Sequence, residues 1–306
     1  MDSADYYAGT SLPKAAVRGD GSFRTTMAQR LFLIAWHACN VMLVISIVAS
    51  LICIGWEYST RRYLRGFSDA IIPGQADPEH KVEAILSWME NGPARLPAGP
   101  DPYSPQRDPT ATLNYKALLS VCGTATNAFI NLADSSGLTA RRLLLLDQNR
   151  QAKHVVAEVL INGRWIVVDP TFRSIPRGTD GGLLTAKQLS DPDVLAAAVK
   201  NFPRYHASYT YENTAHVRIS RLPWVGRALR GILNIAIPGW EDSETMSLLV
   251  ERESFASAVV AVLGFFFFLI LRTFLRWAGE SWYGVRPARL RDQIRRAAHA
   301  FLGSTG

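Results

Sequence analysis

The sequence predicts an α+β domain, a helix packed on an antiparallel sheet, flanked by two transmembrane helices. Three observations carry this. Asn162-Gly163 stands between two apolar, β-branched runs, the strongest short-range signal for a hairpin. Ala125, Ala128, Phe129, Leu132 and Ala133 recur at helical spacing behind Cys122, and Gly137 is placed to end that helix. Residues 31–56 and 255–271 are two long apolar runs without Asp, Glu, Lys or Arg.

The elements follow in order. Residues 1–30 are polar, with small residues and no periodicity, and read as a mobile cytoplasmic tail. Residues 31–56 are long enough to span a bilayer core of about 30 Å. Trp36, Trp56 and Tyr58 suit the interfacial belts, Arg30 and Arg61-Arg62 flank the run, and His37 and Asn40 belong near one interface. A cleaved signal peptide is the competing reading. The apolar run is too long for one, the leader before it too extended, and no small-x-small site follows, so the run reads as an uncleaved anchor.

Residues 62–220 read as the domain. Asp77-Pro78 opens a helix with Val82, Ile85, Leu86 and Met89 on one face, and Asn91-Gly92 ends it. Residues 92–109 are rich in proline and read as a surface loop ahead of the Cys122 helix, placed to wall a cleft. Strands follow, one of them headed by His154 and the last running into Asp169-Pro170-Thr171. Residues 173–182 form a polar loop whose glycines fit no phosphate-binding fingerprint. Residues 185–199 read as helical, and residues 205–218 as one or two closing strands. Residues 221–250 include Trp224, Val225, Leu229, Ile232 and Leu233 with Arg227 and Arg230. They suit an interfacial amphipathic segment or, equally, a helix packed on the domain.

Residues 255–271 are near the lower limit for a membrane span. Arg272, Arg276, Arg286, Arg289, Arg291, Arg295 and Arg296 follow with few acids. The positive-inside rule therefore makes residues 272–306 a basic cytoplasmic tail. Two spans then put both termini in the cytoplasm and the domain outside, on the inner membrane if the source is bacterial. In the tail, Leu290, Ile294, Ala297 and Phe301 share a face among arginines, which suits contact with anionic membrane lipid. The net charge of +7 is concentrated there, but no motif supports nucleic-acid binding.

Chemistry converges on three residues. A two-residue turn fixes the register, pairing Ile161 with Arg164 and Leu160 with Trp165. Extended, this register puts Val156 opposite Asp169 and His154 opposite Thr171. His154 and Asp169 are then diagonal neighbours on one face, at roughly 7 Å or less between Cβ atoms. A one-residue slip would separate them. Cys122 sits at or just before a helix N-terminus, where the dipole and free N–H groups favour a thiolate and can hold an oxyanion. A thiol, an imidazole and a carboxylate in this setting read as nucleophile, base and orienting acid. Each also has a plain structural role open to it. Cys122 alone is a small buried hydrophobe, His154 a core histidine among β-branched residues, and Asp169 an Asx turn that ends a strand. Glu158 reads as a structural charge and Trp165 as core or cleft wall.

Taken together, Cys122, Gly137-Leu138-Thr139-Ala140-Arg141, His154 with Glu158 and Val159, and Gly163-Arg164-Trp165 through Val168-Asp169-Pro170-Thr171 resemble the transglutaminase-like superfamily over residues 110–172. The resemblance implies a papain-like fold with Cys122 as nucleophile, His154 as base and Asp169 as orienting acid. It also implies an upstream side chain at the oxyanion site, for which Asn114 and Tyr115 are the candidates. Val121 stands where the family often has glycine, and Val156 where it often has tryptophan. Neither position carries a reacting group.

The implied function is that of a membrane-anchored cysteine enzyme that forms an acyl-thioester from a protein, peptide or other amide-containing substrate. Water resolves the thioester in a peptidase or amidase, an amine in a transferase. The alternatives are an inactive binding module on the same fold and a subunit of an envelope or polysaccharide assembly complex. No cofactor is called for. His80, His206, His216 and His299 lack metal-ligand spacing, and no acidic cluster suggests calcium. Three cysteines do not make a disulfide framework. Cys39 and Cys53 lie in the apolar run, which leaves Cys122 as the only thiol of the domain.

Overall fold

The computed structural model describes residues 27–91, 108–115, 118–202, 205–217, 231, 233–235 and 237–282. The tail at 1–26, most of the proline-rich loop, residues 221–230, 232 and 236 of the proposed amphipathic segment and the basic tail from 283 lie outside the described residues. The chain divides into two units, residues 44–267 and residues 1–43 with 268–306.

The larger unit is a mixed α and β fold around a four-stranded antiparallel sheet. Helices α1 (Met27–Ile71), α2 (Pro78–Asn91), α3 (Pro109–Asn114) and α4 (Cys122–Ser135) come first. Strands β1 (Ala140–Leu146), β2 (Ala152–Ile161) and β3 (Arg164–Val168) follow, then short helices α5 (Ala186–Leu189) and α6 (Pro192–Ala198) and the two-residue strand β4 (Thr214–Ala215). Helices α7 (Glu244–Glu251) and α8 (Glu253–Trp282) end the described chain. The sheet order is β3-β2-β1-β4.

The hairpin is closed by Asn162 at φ 49° and Gly163 at φ 77°. Two successive left-handed residues are what a type I′ turn requires, and Asn-Gly supplies them at low cost. The register runs from Ile161↔Arg164 through Leu160↔Trp165 to Ala157↔Val168. There the ladder stops, and Asp169 turns away to bridge Ser174. The opposite edge of β2 pairs with β1 as far as Leu145↔His154, and the next pair is Leu146↔Ala152. Lys153 is therefore an extra residue, a bulge directly before His154. Bulges bend a strand and re-aim the side chains beside them.

The sheet is covered on both faces. On one, α4 packs Ala125, Ala128, Phe129, Leu132 and Ala133 against Ala157, Val159, Ile161, Ile166 and Val168. Val82, Ile85, Leu86 and Met89 of α2 and Leu64 of α1 complete this core. On the other face Leu143, Leu145, Val156 and Val167 meet Leu184, Leu189 and Tyr211. Helix α4 is buried around almost its whole girth, from Thr124 to Ala133. It ends at Gly137, whose φ of 79° suits glycine after a helix.

Two segments differ from expectation. Residues 185–199 are two short helices, because Pro192 starts a new one and the Asp191 carboxylate caps it by accepting from the backbone N–H groups of Asp193 and Val194. Residues 205–217 contribute only Thr214–Ala215 to the sheet, pairing with Leu145 and Leu144. The preceding tyrosines pack as an aromatic cluster instead of alternating along a strand.

Helices α1 and α8 are long and apolar enough to cross a membrane, and only 17% and 11% of their most apolar windows are buried. Low burial separates them from the core helices of a soluble protein. In the smaller unit, Arg272 Nε donates to Asn40 Oδ1 at 2.8 Å, and its guanidinium lies 5.4 Å from the centre of the Trp36 ring. Gly279 leaves room for the Phe32 ring, which a Cβ at 279 would strike.

Candidate active site

Cys122 is the first residue of α4. Its N-cap is Val121, which has no side chain able to cap the helix. The thiol is half-buried and packs on Leu144, Leu146 and Val155. The groups that act on its titration are the His154 imidazole and the backbone N–H groups of Val155 and Gly123. The hydrogen bond from His154 pulls the Cys122 pKa down, burial opposes it, and the imidazolium charge and the two N–H groups add to the lowering. Thr126, one turn along α4, donates its hydroxyl to Val155 O at 3.0 Å and pins the helix to β2 beside His154.

His154 is 2% exposed. Its Nε2 lies 2.8 Å from Asp169 Oδ2. Burial pushes the imidazole pKa down, but the hydrogen bonds to Asp169 and then to Cys122, with their charges, raise it to about 9. Asp169 is fully buried. Its other oxygen, Oδ1, accepts from Thr171 N at 3.0 Å and Phe172 N at 3.3 Å. The carboxylate thus closes an Asx turn with one oxygen and bonds the imidazole with the other.

Asn114 is exposed and donates its amide to Thr110 O of its own helix at 2.8 Å. Tyr115 is the C-cap of that helix.

Sequence reading missed the aromatic cover over the histidine. Tyr209 stacks on the imidazole with centroids 4.3 Å apart and planes 10° from parallel. Tyr205 and Phe172 meet it at 6.4 Å and 5.8 Å. Behind them Tyr211 is buried, and desolvation drives its phenol pKa well up. The signal was present as three tyrosines at 205, 209 and 211, but a strand explains that spacing as readily as a cluster does.

Glu158 lies on the same strand as His154 and plays a structural part. Burial pushes its pKa up, but His216 and Arg141 more than offset this and hold it below the usual carboxylate range. Arg141 Nε donates to it at 2.8 Å, and the same guanidinium stacks 3.9 Å over Trp165. Among the described residues there is no group of three or more His, Cys, Asp or Glu side chains that could hold a metal ion.

Residues 65–170 match the model of the transglutaminase-like superfamily. Nothing among the curated proteins or the solved structures matches the chain. The matched span contains the Cys122 helix, the strand of His154 and the end of the hairpin at Asp169. Residues 65–170 are a transglutaminase-like superfamily domain, of the class of cysteine enzymes.

Proposed function

We propose that the protein is a membrane-anchored cysteine acyl-transfer enzyme in which Cys122 is the nucleophile, His154 the base and Asp169 the group that orients the base. The observation that supports this most is the buried imidazole held by Asp169 at 2.8 Å, with the pKa of Cys122 at the start of α4 lowered chiefly by that imidazole. With Nε2 held by Asp169, Nδ1 is the ring nitrogen left to take the thiol proton. The thiolate then attacks an amide or ester carbonyl, and the uncapped start of α4 offers N–H groups to the developing oxyanion. The imidazolium gives its proton to the leaving amine or alcohol as the tetrahedral intermediate collapses to a thioester. Water or an amine next attacks the thioester, His154 accepting its proton and returning one to the sulfur. Asp169 stays ionised and stabilises the imidazolium throughout.

Anchoring by α1 and α8 is part of the proposal and is supported by their length, apolarity and exposure. The substrate class is a protein, peptide or other amide at the membrane surface.

The test is the pH dependence of Cys122 alkylation by iodoacetamide in the full chain, with and without His154→Ala. Rapid labelling at about pH 6, slowed strongly by the histidine change, is the expected result. Labelling only near the ordinary thiol pKa of about 8.5 and indifferent to His154 would overturn the proposal, and a binding module on the same fold would replace it.

A further inference from the structure

One exposed face of α1 changes character along its length. Ile47, Leu51, Ile54 and Tyr58 are exposed on it and recur at helical spacing. The same face continues into Arg61, Arg62 and Arg65. Those three guanidiniums and Tyr58, with Asp134 and Ser135 from the end of α4, line a cavity of about 480 Å³. Small-molecule sites fall within about 300–1,000 Å³.

The cavity carries cations that the chain does not answer. Arg61 is paired with Glu57, one turn back. Asp134, the one carboxylate in the lining, is taken by Arg252 at 2.7 Å. Arg62 and Arg65 are exposed and form no ion pair among the described residues. The last carbonyls of α4 are already bonded, those of Leu132 and Ala133 by Ser136 N and that of Asp134 by Gly137 N. Two guanidiniums therefore share one concave site without a counter-charge.

Resting on the anchoring in the proposed function and not on its triad, we infer that this cavity binds the phosphate of an anionic phospholipid, with an acyl chain lying along Ile47, Leu51 and Ile54. Position argues for a lipid. Tyr58 to Arg65 cover about 10 Å of helix axis and start two residues past Trp56, where a headgroup layer of roughly 5–8 Å borders the hydrocarbon core. Shape argues for it too. A soluble phosphate would use the arginines and leave the apolar stripe in water, whereas a phospholipid is apolar and then anionic in the same order as the face. The planar guanidinium fork presents parallel N–H donors to phosphate oxygens, and Tyr58 places an amphipathic ring at the boundary. A choline headgroup brings its own cation to a site that already holds three, so the site selects a headgroup with net negative charge.

The experiment is thermal unfolding of the full chain in a neutral detergent, with phosphatidylglycerol, phosphatidylcholine or glycerol phosphate added. Phosphatidylglycerol well above its dissociation constant should raise the melting temperature by about 5 °C, and the other two should not. Arg62→Gln/Arg65→Gln should melt like the native chain without lipid and lose the rise. Ser135→Glu, which brings an acid in from the opposite wall, should lose it as well. Arg295→Gln/Arg296→Gln in the basic tail should keep it, which separates the cavity from the tail's own attraction to anionic lipid. No rise in the native chain, or a rise that survives both cavity variants, overturns the site. An equal rise with glycerol phosphate overturns the lipid as its ligand. The anchoring fails differently: a chain released from membranes by alkaline carbonate has no anchor, and the site falls with it. A chain that stays in the membrane and shows no rise loses the site alone.

Discussion

Asp169 carries two duties in one carboxylate, and substitution separates them. In Asp169→Asn the side chain keeps an oxygen that accepts from Thr171 N and Phe172 N, so the turn survives. What is lost is the negative charge that raises the His154 pKa. A less basic imidazole holds the Cys122 proton less well, and the acid limb of the alkylation profile moves to higher pH. Labelling at about pH 6 is expected to fall by tenfold or more, since each unit of lost shift is a factor of ten. An unchanged profile would mean that Asp169 serves the turn and not the histidine. The raised imidazole also makes a stability prediction, which the Cys122→Ser background isolates from the thiolate's own titration. A histidine whose folded pKa lies above its unfolded value contributes stability fully below about 6.5 and loses it as pH climbs through the folded pKa; in Cys122→Ser the share of the rise due to Cys122 is gone and that due to Asp169 remains. The melting temperature of Cys122→Ser should therefore exceed that of Cys122→Ser/His154→Gln by a margin that shrinks as pH rises above about 6.5. A constant margin would show that the imidazole titrates alike in the folded and unfolded chain.

Elements are held around the site by a second buried polar network, on the far side of α4 from the sheet. Arg252 is fully buried between α7 and α8. It donates to Asn131 Oδ1 at 2.8 Å, Asp134 Oδ2 at 2.7 Å and Glu57 Oε1 at 3.3 Å. Its neighbour Glu251 takes Arg142 and Asn127. One guanidinium thus ties α4 to α1 and to the start of α8. Removing it leaves Asn131 and Asp134 without their cationic donor, while Glu57 keeps Arg61 and Ser254, and costs about 3 kcal/mol. Arg252→Ala should lower the melting temperature by about 10 °C in a domain of this size. The pH profile of Cys122 labelling should keep its acid limb, because no atom of this network bonds the site. The sequence did not expose the network. Glu251 and Arg252 stand just before an apolar run, and nothing local says that Asn127, Asn131 and Asp134 face them. The hairpin was legible because Asn162-Gly163 fixes its register within a few residues, and α4 because its stripe repeats at 3.6. The split between α5 and α6 was visible in Asp191-Pro192, yet apolar spacing on both sides masked it. The tyrosine cover was illegible for a different reason: Tyr209 meets His154 across 55 positions of sequence, and neither residue's neighbours mark the meeting.

At the scale of the molecule, α1 is 45 residues long, about 68 Å at the rise of an α-helix. A bilayer core takes about 30 Å of that. The remainder is not idle: past Trp56 the helix carries Glu57 into the Arg252 network and Leu64 into the core beside α4. One helix thus carries both the apolar stretch and a wall of the folded domain. The proposed topology rests on charge, because arginines crowd the chain after residue 271 and the long central segment lies outside the reach of the positive-inside rule. Alkaline phosphatase reports this directly, since it folds only where its disulfides can form, outside the cytoplasm. Placed after Asn149, in the exposed turn between β1 and β2, the reporter should be active in a bacterial host. Fused after Gly306 it should be inactive. Activity at Gly306 with silence at Asn149 would invert the orientation and place Cys122 in the cytoplasm. Silence at both sites would remove the two-span reading and with it the extracytoplasmic substrate.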